Sequence, residues 1–203
     1  MSIPFQDSET AKNLLRAFAG ESQARNRYDF AANLCQKQEL QAMAFIFQAT
    51  AKQEQAHAKV FWDHLQALNG QNLPIYGAYP IEGTNRILEL LRAAQQNEHE
   101  EHGSVYPSFA AIATQEGFPE AAASFRQIAA IEQLHGERFG LLADQLESGA
   151  LFVSQIETGW MCLNCGHTQN SLEAPKQCPV CNHGQGWFIR LELAPWTPVV
   201  KQI

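Results

Sequence analysis

The chain has 203 residues, 45% hydrophobic and 17% charged, with 21 acidic against 14 basic side chains and a formal net charge of -7. That length supports one good hydrophobic core with room for a small satellite unit. The acidity comes without any basic cluster, which argues against nucleic acid or an anionic membrane as partner. No apolar run approaches the roughly 18 residues of a membrane span, and the start "MSIPFQDSETAKNLL" lacks a basic stretch leading into an apolar one. A soluble, cytoplasmic protein is expected.

Helix start and stop signals divide residues 1 to about 148 into four segments. The first runs from a cap at Asp7 or Ser8 to about Gln38, and the second from about Glu39 to Leu68, before Asn69-Gly70. The third opens with Thr84 as N-cap and runs to about Glu116; the fourth starts at Pro119 and ends near Ser148-Gly149. Pro107 interrupts the third, because it cannot donate to the carbonyl of Gly103, and a kink is expected there. Only the second connection, "NGQNLPIYGAYPIEGT", is long. One long crossover between two helical hairpins is a topology of ferritin-like four-helix bundles, so residues 1–150 are expected to form such a bundle. From Leu151 the pattern changes to short β-branched and aromatic runs, and residues 151–203 read as a small β-rich unit that needs a staple to fold.

Each helical segment carries an apolar seam with steps of three and four, interrupted by acids and imidazoles. The first offers Glu21, the second Glu54 and His57, the third Glu98 and Glu101, and the fourth Glu132 and His135. Carboxylates in an apolar seam are prohibitively costly unless a positive charge meets them. Arg25 is the only basic side chain near these positions in the first segment, whereas two iron ions would bring roughly +4 to +6. Glu-x-x-His puts both ligands on one helix face, and a di-iron bundle takes that motif from two helices plus one Glu from each of the others. The words "QEQAHAKVF" and "IEQLHGERF" supply it twice, and equivalent residues are separated by 77, 78 and 78 positions, as two related hairpins would be. Mixed carboxylate and imidazole ligands suit iron or manganese better than zinc.

Four of the five cysteines form Cys162-x2-Cys165-x12-Cys178-x2-Cys181, a pattern for a tetrahedral four-thiolate metal site. The spacing alone admits a zinc ribbon or a single iron. Iron is favoured because a redox bundle must be re-reduced, and because Trp160, Trp187 and Phe188 flank the sulfurs. Cys35 reads as a small buried hydrophobe and His64 as a packing histidine. His99, Glu100 and His102 are expected to face solvent or a partner subunit.

The stretches "GESQARNRY", "KQEQAH", "NEHEEHGSVYPSFA" and "IEQLH", followed by the cysteine unit, resemble the rubrerythrin family over nearly the whole chain. The stretch "WMCLNCGHTQNSLEAPKQCPVCNHGQGWF" is similar to that family's C-terminal rubredoxin-like domain, except that Gly184 stands where proline is common and Asn182 where glycine is usual. Asn tolerates the left-handed conformation, so the second knuckle should survive. The tail "APWTPVVKQI" is longer than the resemblance leads one to expect. The resemblance implies that Glu54 and Glu132 bridge two irons, with Glu21 terminal on the first and Glu98 and His135 on the second. It also implies that Glu101 exchanges with His57 on the first iron as the redox state changes, and that Tyr28 and Tyr106 support the site by hydrogen bonds.

The expected activity is a di-iron peroxidase that reduces hydrogen peroxide to water, with Glu101 or Glu98 assisting proton delivery. The four-cysteine iron would return electrons one at a time. No G-x-G-x-x-G follows a strand, so the electrons come from an external NAD(P)H-dependent reductase or rubredoxin. The small unit hangs off the end of a bundle about 40 Å long at 1.5 Å per residue, far from the middle of the helices. By resemblance, a head-to-tail homodimer would bring one chain's four-thiolate iron near the other's pair. The competing readings are a ferroxidase or oxidase using dioxygen, and a zinc-ribbon interaction protein with a structural metal bundle.

Overall fold

A computed structural model describes residues 3–194. Ser8 opens the first helix, α1 (Glu9–Lys37), by accepting a hydrogen bond from the Ala11 amide at 3.0 Å. The next two free amides, Glu9 and Thr10, donate to the Glu116 carboxylate at 3.0 and 2.8 Å, so a residue distant in sequence completes the cap. α1 turns into α2 (Gln41–His64) at Glu39, which sits in the left-handed region with φ 59. The second helix ends at His64, and a single 3₁₀ turn over Gln66–Leu68 takes up the remainder of the segment expected to reach Leu68.

The third segment differs most from its expected form. It is α3 (Ile87–Glu100), a π turn over Glu101–Val105, then α4 (Tyr106–Glu116). The disruption therefore falls one turn before Pro107, within the acidic cluster rather than past it. A wider turn ahead of a proline accommodates its missing donor, with the Tyr106 amide bonding back to Glu101. Arg86, not Thr84, is the N-cap of α3, although Thr84 braces the entry by accepting from the Arg86 amide at 3.1 Å. Gly117, at φ 86, closes α4, and Pro119 begins α5 (Pro119–Glu147) as expected.

The expected seams are the buried faces. Two apolar clusters fill the bundle above and below the glutamates: one around Tyr28, Cys35, Phe47 and Phe139, the other around Leu14, Phe61, Tyr106 and Phe125. Phe47 stacks on Phe139 at 5.0 Å and Phe61 lies 5.1 Å from Phe125.

After α5 the chain forms an antiparallel sheet in the order β2-β1-β3, with β1 (Val153–Cys162), β2 (Thr168–Glu173) and β3 (Phe188–Arg190). It packs on the α1–α2 corner. Met161 and Ile189 join the first cluster of the bundle, and a Cβ on Gly186 would lie 1.7 Å from the Glu39 carbonyl oxygen, so only glycine permits this approach. All but the first residue of the tail "APWTPVVKQI" lies outside the described residues.

Candidate metal centres

α1 supplies Glu21, α2 Glu54 and His57, α3 Glu98, and α5 Glu132 and His135. Ligand atoms of Glu21, Glu54, His57 and Glu132 lie within 4.8 Å of one another, and so do those of Glu54, Glu98, Glu132 and His135. Glu54 and Glu132 belong to both groups, so two adjacent four-donor sets share two carboxylates, as a dinuclear centre requires. All six side chains are buried.

Their hydrogen bonding shows that they fit a pair of cations. One oxygen each of Glu21, Glu54 and Glu98, both oxygens of Glu132 and Nδ1 of His135 are buried without a hydrogen-bond partner. Native interiors leave few such atoms, and here they converge on one region. Without metal, the imidazoles are the nearest counter-charges. His57 Nδ1 lies 2.9 Å from Glu132 and 3.2 Å from Glu54; His135 Nδ1 lies 2.8 Å from Glu132 and 3.0 Å from Glu54. Burial opposes a charged ring at His57, yet Glu132, Glu21 and Glu54 lift it to about 12. The same opposition, outweighed by Glu132, Glu54 and Glu98, lifts His135 to about 11. Burial also raises Glu21 well above the carboxylate range and Glu98 to about 8. Protons thus occupy the positions that metal charge would take.

The surrounding groups orient these ligands. The Tyr28 hydroxyl donates to Glu98 and the Tyr106 hydroxyl to Glu21, and burial holds both phenols well above their ordinary range, so they stay donors. Gln53 Oε1 lies 2.9 Å from His135 Nε2. An amide oxygen only accepts, so Nε2 carries a hydrogen, and the proton that the ring gives up to a metal is the one on Nδ1. Sequence reasoning passed over Gln53, and nothing in "KQEQAH" marks the first Gln above the second; only the helix packing does.

Glu101 stands apart from both groups. It is the first residue of the π turn, half-buried, with its carboxylate near Gly20 of α1. Burial and the nearby Glu98, Glu132 and Glu54 raise it well above the carboxylate range. The cation felt there is Arg27, paired with Glu82 at 2.6 Å, while Arg25 is exposed. His99 and Glu100 are also exposed, and His102 Nδ1 donates to the Ala129 carbonyl at 2.8 Å; none of the three enters a donor group. His64 lies 2.9 Å from the Ser124 hydroxyl, and Cys35 is fully buried with its thiol pushed up to about 12.

In the small unit Cys162, Cys165, Cys178 and Cys181 converge as free thiols. Cys162 Sγ lies 3.7 Å from Cys181 Sγ, and Cys165 Sγ 3.7 Å from Cys178 Sγ. A tetrahedron with metal–sulfur bonds of about 2.3 Å has edges of about 3.8 Å, so the spacing fits one metal ion. Two matching turns build it. The Cys162 amide donates to His167 and the Gly166 amide to Cys162; the Cys178 amide donates to His183 and the Asn182 amide to Cys178. Gly166 at φ 75 and Asn182 at φ 60 occupy the same left-handed position, as the tolerance of Asn leads one to expect. Trp160 and Phe188 are buried against the sulfurs, with Trp187 partly so.

The rubrerythrin family model matches residues 12–143, and one described as rubrerythrin, rubredoxin-like domain, matches residues 160–189. The structure of nigerythrin in its fully reduced, all-ferrous state aligns with a TM-score of 0.60 at 25% identity, covering 91% of this chain and 90% of that one. Mycobacterium tuberculosis bacterioferritin BfrA aligns with a TM-score of 0.61 at 18% identity over 70% of this chain and 88% of that one, a likeness of the ferritin-like fold. The rubrerythrin of Porphyromonas gingivalis is 44% identical over 188 residues, 93% of this chain and 92% of that one. With a relative so similar across both units, the chain belongs to the rubrerythrin family of oxidoreductases, with a di-iron bundle and a rubredoxin-like domain.

Proposed function

We propose that this chain reduces hydrogen peroxide to water, H2O2 + 2 H+ + 2 e− → 2 H2O, with residues 1–150 as the reaction domain and 151–203 as the electron-supplying domain. The observation that carries this reading is the pair of buried donor sets sharing Glu54 and Glu132, together with four converging sulfurs in the same chain. Bound iron supplies the electrons and Lewis acidity at the first centre and single-electron relay at the second. The protein's part would be to hold the pair, with Glu54 and Glu132 shared between the two donor groups, Glu21 and His57 completing one, and Glu98 and His135 completing the other.

Glu101 lies outside the ligand groups with a carboxyl that burial and the neighbouring acids raise well above the usual carboxylate range, and it borders a solvent-reaching cavity. That placement suits it to deliver a proton to the breaking O–O bond, and its exchange with His57 would change the ligand set with redox state. Tyr28 and Tyr106 keep Glu98 and Glu21 aimed.

Electrons would come from an external NAD(P)H-dependent reductase or rubredoxin. Within one chain the sulfur site sits beyond the α1–α2 corner. Glu54 is fourteen residues from Leu40, about 21 Å along α2 at 1.5 Å per residue, with Met43, Phe47 and Phe139 filling the interval. A head-to-tail homodimer, in which the second copy's sulfur site approaches the first copy's pair, shortens that path. A monomer with full turnover overturns this arrangement.

Rapid mixing of reduced protein with hydrogen peroxide, and separately with dioxygen, tests the reading. Faster oxidation by peroxide is expected; much faster oxidation by dioxygen would instead make the protein an oxidase or ferroxidase. Iron analysis should give about three per chain, two for the carboxylate site and one for the thiolates. Zinc on the thiolates of protein from its native host would sink the electron relay. Among the described residues no helix is long and apolar enough to cross a membrane.

A further inference from the structure

Six of the seven carboxylates and phenols at the site, Glu21, Glu54, Glu98, Glu132, Tyr28 and Tyr106, are at most 3% exposed. Glu101 is the exception, being half-buried. It lines a cavity of about 250 Å³ bordered by α1, the π turn and the crossover, with Arg16, Gly20, Arg27, Tyr79 and Tyr106 among its walls. Tyr79 and Glu101 both lie beside Gly20. A Cβ built on Gly20 would lie 3.6 Å from Tyr79 Cε1 and 4.0 Å from a Glu101 oxygen, so the absent side chain of Gly20 leaves the gap between the phenol ring and the carboxylate.

The crossover holds Tyr79 in place from both sides. The Tyr79 hydroxyl donates to the Arg16 carbonyl at 2.9 Å, and Arg16 Nε donates to the Tyr76 carbonyl at 2.9 Å. The Arg16 guanidinium is itself held by Glu9 at 2.5 Å and Asn13 at 2.6 Å. Just after Tyr79, Glu82 accepts from Arg27 at 2.6 Å and Asn97 at 3.1 Å. A segment without helix or strand is thereby fastened to α1 and α3 at the point where it crosses the cavity. The hydroxyl bond ties the Tyr79 ring to α1.

We propose that Tyr79 and Gly20 form the size-selective entrance through which the oxidant passes to Glu101 and the metal pair, admitting hydrogen peroxide and excluding bulky organic hydroperoxides. The proposal rests on the peroxidase reading for its substrate, but not for its geometry. Tyr79 and Gly20 are specificity-determining residues; neither holds metal or moves a proton.

Three substitutions test this. Tyr79→Ala opens the entrance, Gly20→Ala fits at ordinary contact distance as a folding control, and Gly20→Leu fills the gap. In iron-loaded protein, azide association with the oxidised pair, followed by its absorbance, should be several-fold faster in Tyr79→Ala and at least tenfold slower in Gly20→Leu at unchanged iron content. The rate ratio for cumene hydroperoxide over hydrogen peroxide should rise at least tenfold in Tyr79→Ala. In metal-free protein, carbodiimide coupling of glycine ethyl ester to Glu101, mapped by mass spectrometry, should follow the same order. Unchanged azide and labelling rates in both Tyr79→Ala and Gly20→Leu overturn the entrance. If no peroxide reacts with the parent protein while azide and labelling still follow the predicted order, the peroxidase reading fails and the entrance stands.

Discussion

In the bundle, six candidate metal-ligating side chains come from four helices and lie 114 positions apart at the extremes, Glu21 to His135. In the small unit, four sulfurs come from two turns within twenty residues, and backbone amides set their positions. The bundle carries its centre inside a packed interior with apolar clusters on both sides. The small unit has five buried residues in its own cluster, two of them the candidate ligands Cys162 and Cys178. The bundle should therefore keep its fold without metal, whereas the sulfur site is itself much of the core of the small unit.

The largest test of that contrast is removal of the sulfur-bound metal or the substitution Cys178→Ala. Structural metal sites of this kind contribute on the order of 10 kcal/mol to folding, so the small unit should unfold. Limited proteolysis should then cut beyond residue 150 while circular dichroism retains the helical signal. A small unit that stays protected without its metal would remove the distinction.

Next in size is Glu132→Ala. Because Glu132 belongs to both donor groups, its loss should empty the pair together, lowering iron from about three to about one per chain while the thiolate absorbance persists. Loss of one iron instead of two would show that the carboxylate is not shared.

Loading the bundle should also depend on pH. With His57 raised to about 12 and His135 to about 11 in the metal-free chain, both rings are charged at neutral pH, and each must lose a proton to bind through Nδ1. Metal binding therefore releases protons, and apparent affinity falls as pH falls, by about a hundredfold per unit from the two rings and by more where the raised Glu21 and Glu98 must also ionise. Calorimetry in buffers of different ionisation enthalpy measures the count; release of none would refute the charged state of the rings.

The smallest effect belongs to the second knuckle. Asn182→Ala should destabilise the small unit by about 1 kcal/mol through its left-handed backbone, and Asn182→Gly should not. Thermal unfolding of the iron-loaded protein distinguishes them.

Much of this centre was legible in the chain because helical spacing fixes which side chains share a face. Glu54 with His57 and Glu132 with His135 had to project together once their helices formed, and a costly acid in an apolar seam pointed to metal. The C-x2-C pairs were equally plain, since their geometry is local. The π turn was not: Pro107 announced a break, but where the ladder yielded depended on packing around Glu101. Gln53, Arg27 and Tyr79 were also hidden, because each gains its role from a residue on another element.

The sequence alone thus determined the helical bundle, its single long crossover, the paired ligand motifs and the two knuckles, all of which follow from periodicity and short-range backbone chemistry. Tertiary structure decided that Glu101 lies apart from the ligand groups, that Gln53 orients His135, and that Gly186 seats the small unit on Glu39. It also decided that a crossover tyrosine meets Glu101 across Gly20. Those outcomes depend on which helices pack together and at what height, and sequence spacing does not encode distances between elements.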